Sequence, residues 1–202
     1  MFARLYANNF INYIKQVDPK IPLTQFKSQS YHQAVKRELI FKILPYLRPH
    51  NPETFIDNVN HFDEMTHVVS QQYDRGVDLV GDIDKTHTLI VHCKQNLVSN
   101  GISKSDIDQL VALTALYKTR NFQKESLSIL ASPYILSDDA LKKMNEIPMN
   151  IAYAQVSDLS INEIPLINKT NLLDITKMTS MSGQLLNFIP NKKCSKTFSM
   201  KK

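Results

Sequence analysis

Residues 77–94 read VDLVGDIDKTHTLIVHCK, and this stretch decides the sheet. Aliphatic residues dominate two short runs, Val77–Ile83 and Thr88–Cys93, as is typical of strands with a buried face. The polar segment 84–87 between them is too short for a crossover connection and favours a tight turn. The sequence therefore predicts an antiparallel hairpin.

Three residues with catalytic potential lie at one end of this hairpin. Asp78 is near the start of the first strand, and His92 and Lys94 share a face at the end of the second. A carboxylate suits a hard cation such as Mg²⁺, and a lysine can orient a water or neutralise a phosphate. The set fits metal-assisted phosphodiester hydrolysis. Each residue also has an ordinary structural role, since acids beside turns often act as caps, strand-end lysines face solvent and histidines bond locally.

Helical and β-rich segments flank the hairpin on both sides. Their order predicts an α/β fold, with helices covering both faces of a mixed sheet. The long connection after Cys93 allows a parallel crossover to the next strand. The predicted flanking elements are a helix at Ser30–Leu44, a short acidic helix at Glu53–Met65, a strand at Thr66–Ser70, a helix capped by Ser103 or Ser105, a strand at Leu127–Ala131, a helix from Ser137 to Glu146 and a final strand at Met149–Val156.

Composition narrows the class of protein. The 202 residues carry a formal net charge of +5 and two cysteines, Cys93 and Cys194. This cysteine usage indicates neither a disulfide framework nor a zinc site. No apolar run approaches the roughly 18 residues that span a bilayer. The positive charge favours polyanionic partners.

The chain is expected to form one domain, residues 30–156, between two extensions, residues 1–29 and 157–202. Met1–Val17 contains no acidic residue, which fits either a mitochondrial transit peptide or an amphipathic helix that packs on the domain. No acidic residue follows Asp174, while lysines accumulate, so a mobile cationic tail is predicted at the other end.

Two motifs of this chain resemble those of a nuclease family. Asp74-Arg75-Gly76-Val77-Asp78 followed by Leu89-Ile90-Val91-His92-Cys93-Lys94 resembles the D-x-G-[VI]-D and V-Q-C-K motifs of Mrr-type restriction endonucleases, which belong to the PD-(D/E)xK superfamily. The resemblance implies a restriction-endonuclease-like α/β/α fold and cleavage of DNA. It also implies Mg²⁺ or Mn²⁺ held by Asp78 and His92, Lys94 as water activator or phosphate stabiliser, and support from Asp74 or Glu38. The habits of restriction enzymes suggest a homodimer.

Within the superfamily, the chain is more similar to a fungal mitochondrial family named for being required for respiratory growth. The similarity is carried by Tyr31–Leu39, Ala131-Ser132-Pro133 and Asn145-Glu146-Ile147-Pro148, and it implies a mitochondrial location. Three features depart from the family pattern. Ser70-Gln71 stands where the family has a glycine pair before the first aspartate. His92 replaces a Glu or Gln, and His32 replaces the acid that often follows the aromatic residue of the first helix, although Glu38 could substitute for it.

These departures leave two functions open. One is a metal-dependent DNA endonuclease that serves mitochondrial nucleic-acid maintenance. The other is an inactive nuclease-fold protein that binds nucleic acid or a protein partner needed for respiration. For either function, basic residues on segments flanking the proposed centre are expected to contact the phosphate backbone largely independently of base sequence, namely Lys85, Lys104, Lys118 and Arg120.

Overall fold

The structure, a computed structural model, describes residues 23–47, 67–68, 77–83, 86–95, 101–118, 124–158 and 183–198. The strands in this part of the chain are β1 (His67–Val68), β2 (Leu79–Asp82), β3 (His87–Cys93), β4 (Glu125–Ser132), β5 (Asn150–Val156) and β6 (Leu185–Pro190). The helices are α1 (Leu23–Glu38), α2 (Leu44–Leu47), α3 (Lys104–Lys118), α4 (Asp138–Glu146) and α5 (Lys192–Thr197), with a π-helical turn at Leu39–Ile43 between α1 and α2.

The six strands form one mixed sheet whose spatial order is the order of the chain. Strands β1, β2 and β3 are antiparallel neighbours, and Leu79 pairs with Val91 in the β2–β3 hairpin. Strand β4 is parallel to β3, and β5 is parallel to β4, because α3 and α4 form the intervening connections. The predicted hairpin, the parallel crossover and the mixed α/β class are thus confirmed.

Helices cover both faces of the sheet, and strand alternation assigns the faces. On one face, α1 residues such as Tyr31 and Val35 pack on Leu89 and Val91 of β3 and on the matching residues of β4 and β5. On the other face, helices α3 and α4 pack on residues that include Leu130 and Tyr153. Burial of these two aliphatic layers holds the sheet between the helices.

Helix α1 begins at Leu23, directly after Pro22, which is earlier than the predicted start at Ser30. It ends in the π-helical turn, where the Leu44 N–H donates to the Leu39 carbonyl. This wider turn precedes Pro45, which has no backbone N–H to donate to the preceding turn. Tyr31 fixes α1 to the sheet because its hydroxyl donates to the Val156 carbonyl at 2.9 Å.

Helix α4 has the predicted N-cap. The Ser137 hydroxyl oxygen accepts from the Ala140 N–H at 3.2 Å, and Asp138 and Asp139 occupy the first turn. Negative charges in the first turn interact favourably with the helix dipole, which stabilises the helix at this end. The prediction of a helix from Ser137 to Glu146 is confirmed.

The sequence suggested that the sheet ends at Val156, but the sheet continues beyond that residue. Strand β6 pairs antiparallel with β5, and α5 follows it, so part of the predicted C-terminal extension belongs to the sheet. Asn191 joins these elements. Its side-chain oxygen caps α5 by accepting from the Cys194 N–H at 2.8 Å, and its amide group donates to the Met149 carbonyl at 2.8 Å.

The helices predicted at Met1–Val17 and Glu53–Met65 lie outside the described residues. Among the helices that the structure does describe, not one combines the length and apolarity needed to cross a membrane.

Candidate functional site

Asp78 is the centre of the candidate site and lies immediately before β2. Its backbone N–H donates to the Val91 carbonyl at 2.9 Å, which continues the hairpin ladder by one residue. The Leu79–Val91 pairing places His92 directly across from Asp78, and Oδ2 of Asp78 lies 3.2 Å from Nδ1 of His92. The structure therefore brings together two of the residues selected from sequence.

The Asp78 carboxylate is held by the backbone as well. Its Oδ2 accepts from the Cys93 N–H at 2.6 Å, and its side chain is 9 % exposed. A buried carboxylate costs free energy unless hydrogen bonds compensate for the lost water. The Cys93 N–H supplies this compensation at Oδ2, and His92 adds a second bond there when its Nδ1 carries the proton, while Oδ1 is turned toward α1.

His32 of α1 lies against that second oxygen. Its Nε2 is 3.4 Å from Oδ1 of Asp78, so Asp78 stands between two imidazoles. Burial lowers the pKa of His32, the nearby Asp78 opposes this shift, and His92 adds to it. Nδ1 of His32 is buried and has no hydrogen-bond partner among the described residues. His32 therefore faces the carboxylate mainly as a neutral ring.

His32 was selected from sequence only as a departure from a family pattern. Its position directly after Tyr31 is where that pattern has an acid, and the structure puts this position beside Asp78. The sequence feature that pointed to His32 was therefore its position on the helix and not its residue type.

Cys93 adds a thiol on the α1 side of β3, where it packs against the core that includes Tyr31. The cluster offers one ligand atom from each of His32, Asp78 and Cys93, and these three atoms lie within 4.8 Å of one another. Burial, followed by the nearby Asp78 charge, raises the pKa of the Cys93 thiol well above its usual value. Sequence spacing gave no reason to select Cys93, because alternation only assigned it to the buried face.

Lys94 follows β3 and turns toward α3. Its Nζ donates to Oδ1 of Asp106 and lies 3.5 Å from Oε1 of Gln109. Oδ2 of Asp106 accepts from the Ser103 N–H at 2.7 Å and from the Ser103 hydroxyl at 2.8 Å. Burial raises the pKa of Asp106, but the bonds from Lys94 and Ser103 outweigh it and hold that pKa below its usual range.

Glu38 is bound elsewhere. It contacts Arg37 at 3.1 Å and Lys42 at 2.7 Å, and Oε2 accepts from the Leu185 N–H at 2.8 Å. These contacts join the end of α1 to the start of β6. Glu38 is therefore a structural anchor in this conformation, and the described contacts do not include one with Asp78.

Two of the predicted DNA-contacting residues lie at opposite ends of α3. Lys104 is exposed at the first residue of α3, the end that carries Asp106, whereas Lys118 is at the last residue. A helical rise of 1.5 Å per residue separates the two positions by about 21 Å. Asp74, Lys85 and Arg120 lie outside the described residues.

The donor atoms around Asp78 differ from those that Mg²⁺ favours. Mg²⁺ is held mainly by carboxylates, phosphates and water, while the described cluster offers one carboxylate with imidazole and thiol groups. Imidazole suits Mn²⁺ and Zn²⁺, and thiolate selects softer ions such as Zn²⁺. The cluster therefore fits a transition metal better than Mg²⁺.

Comparison of the chain with protein-family models, with curated proteins and with solved structures finds no significant match.

Proposed function

We propose that this chain is a metal-dependent endonuclease-like protein that acts on DNA phosphodiester bonds. The observation that carries the proposal is the contact of Asp78 with His92 across the β2–β3 hairpin, with Lys94 directly after β3. The Mrr-type motifs imply this arrangement, in which a carboxylate lies at the open end of a hairpin and a lysine follows two residues after the histidine that pairs with it.

The topology supports a restriction-endonuclease-like fold. Helices α1 and α2 precede three antiparallel strands, and α3 then leads to a strand parallel to the third. Helices lie on both faces of the sheet, as the resemblance implies. Fold alone does not imply cleavage, so the activity rests on the residues of the site.

We propose Mn²⁺, with Mg²⁺ as the weaker alternative, as the ion for cleavage. Such an ion lowers the pKa of a bound water and neutralises charge on a phosphate. The chain contributes Asp78 to hold the ion, with His92 beside it. Lys94, which pairs with Asp106 in the first turn of α3, contributes the positive charge.

Binding of the polymer is assigned to the surrounding basic surface. Lys104 and Lys118 on α3, together with Lys85 and Arg120, would contact phosphates without reading bases. A mitochondrial location and a homodimer belong to the same proposal and rest on the family resemblance.

One observation favours a second function, a nuclease fold that binds nucleic acid or a protein without cutting. Lys94 is bound to Asp106, and Glu38 to Arg37 and Lys42, so neither residue contacts Asp78. If these pairs persist when DNA is bound, the protein would bind without cleaving. Binding to duplex DNA at several salt concentrations tests the nucleic-acid form of this alternative, since affinity should fall steeply as salt rises.

Cleavage of a supercoiled plasmid by the full-length protein tests the leading proposal. We expect nicked and linear products in Mn²⁺, fewer in Mg²⁺ and none with a chelator. Lys94→Ala should reduce cleavage by at least about 100-fold, as loss of a stabilising charge does in other enzymes. The matched control is Lys142→Ala, an exposed residue of α4, which should cleave like the unmodified protein. A folded protein inactive in both metals would favour the binding-only alternative.

A further inference from the structure

We propose that His32, Asp78 and Cys93 form a binding site for Zn²⁺ or a similar divalent transition metal. Two of these residues, His32 and Cys93, have no part in the nuclease proposal. The site shares Asp78 with the proposed nuclease centre, but it does not depend on DNA cleavage.

The geometry of the cluster is close to that of a tetrahedral site. Its three ligand atoms lie within 4.8 Å of one another, and the Asp78 Oδ1 to His32 Nε2 distance is 3.4 Å. Zinc–nitrogen and zinc–sulfur bond lengths place neighbouring ligand atoms about 3.3–3.8 Å apart around a tetrahedral ion. Small side-chain rotations therefore suffice to bring the three atoms around one ion.

The hydrogen bonds of Asp78 occupy Oδ2 and leave Oδ1 to bind this ion. Oδ2 accepts from the Cys93 N–H and contacts His92, whereas Oδ1 faces His32. Donors that hold the outer oxygen of a ligating carboxylate fix its orientation and are common around metal ligands. His92 would thus position Asp78 rather than complete the zinc site.

Charge balance also favours a divalent ion. A carboxylate and a thiolate together carry two negative charges, which Zn²⁺ neutralises in a place where burial makes isolated charge costly. Mg²⁺ lacks affinity for the sulfur and nitrogen atoms of this set. Three protein ligands on a tetrahedral zinc leave the fourth position for water or another ligand.

A nucleophilic Cys93–His32–Asp78 arrangement is the competing interpretation of the same cluster, and burial argues against it. A reactive thiol needs a lowered pKa and access to substrate. Desolvation instead raises the pKa of the Cys93 thiol, and the partly buried side chain packs against the core below α1. A metal can displace the thiol proton directly, so the metal interpretation does not require a low pKa.

Cobalt(II) titration of the untagged, chelator-treated full-length protein tests the proposal. Co²⁺ substitutes for Zn²⁺ and gives a near-ultraviolet thiolate-to-metal charge-transfer band when a cysteine is a ligand. We expect this band to saturate at one Co²⁺ per chain, to be abolished by Zn²⁺ and to resist excess Mg²⁺. His32→Gln should weaken Co²⁺ binding by more than about tenfold, since even outer partners of metal ligands contribute that much.

The two cysteines of the chain make the control unambiguous. Cys93→Ser should eliminate the band, while Cys194→Ala, which changes the buried cysteine of α5, should keep it. Absence of the band in the unmodified protein, or a band that survives Cys93→Ser and disappears in Cys194→Ala, would overturn the assignment. Plasmid cleavage is a separate readout. An unmodified protein that gives the cobalt band but cleaves plasmid in neither Mn²⁺ nor Mg²⁺ contradicts the nuclease proposal alone.

Discussion

Replacement of Asp106 by asparagine tests whether the ion pair at the start of α3 fixes Lys94. The substitution keeps the side-chain volume and removes the charge that accepts from Lys94. The remaining amide oxygen can still accept one bond from Ser103. The perturbation therefore removes mainly the Lys94 contact and the favourable charge at the helix N-terminus.

The expected loss follows from burial. A hydrogen bond to a charged group contributes about 1.5–3 kcal/mol, and an acid in the first turn about 0.3–1 kcal/mol. Asp106 is 7 % exposed, but Lys94 is 24 % exposed and regains some hydration when the pair is broken. We therefore expect Asp106→Asn to lower the free energy of unfolding by about 2 kcal/mol, and Tm by about 4–8 °C in a chain of this size.

Urea denaturation followed by circular dichroism measures this loss. The matched control is Asp108→Asn on the same helix, because Asp108 pairs with Lys143 at 3.1 Å but is 53 % exposed. An exposed ion pair contributes less than about 1 kcal/mol, so the control should unfold at nearly the urea concentration of the unmodified protein. Equal midpoints for the two variants would refute the reasoning that Asp106 holds Lys94.

Three further predictions concern stability. Asn191→Ala should lower the free energy of unfolding by about 3 kcal/mol, because it leaves several buried backbone groups unpaired. Asn187→Ala, which changes an exposed residue of β6, should lower it by less than about 0.5 kcal/mol. The urea midpoints of the two variants measure the difference. Tyr31→Phe should cost about 1 kcal/mol, since it leaves the Val156 carbonyl without its donor; an unchanged midpoint would contradict this bond. Because the pKa of Asp106 is lowered, its stabilising effect is complete above the unfolded value of about 3.9 and is lost as pH falls through the folded value. Acid titration of stability should therefore be less steep in Asp106→Asn.

The hairpin was predictable because it depends on local pattern. Aliphatic runs and a short polar turn define two antiparallel neighbours, but the predicted strand ends differ by one residue from the observed pairing of Asp82 with Thr88, which sets His92 across from Asp78. The N-cap at Ser137 was predictable for the same reason, since capping involves residues within one helical turn.

The rest of the site depends on packing between distant segments. His32 reaches Asp78 only because α1 packs across the sheet, and no spacing in the sequence encodes that contact. Lys94 has a long side chain whose partner is decided by the position of Asp106 on α3. Strand β6 is mostly apolar, but it is short, ends in a proline and precedes a lysine-rich segment, so its sequence was interpreted as part of a tail.

The central claim is that Asp78 is the anchoring carboxylate of a metal-dependent cleavage site. The most direct measurement is the single-turnover rate of plasmid cleavage in Mn²⁺ by Asp78→Asn beside the unmodified protein. The asparagine oxygen can still accept from the Cys93 N–H, so the fold should persist and circular dichroism should be unchanged. We predict that the rate falls by at least about 100-fold while duplex binding is retained. Cleavage by Asp78→Asn at the unmodified rate would contradict the account.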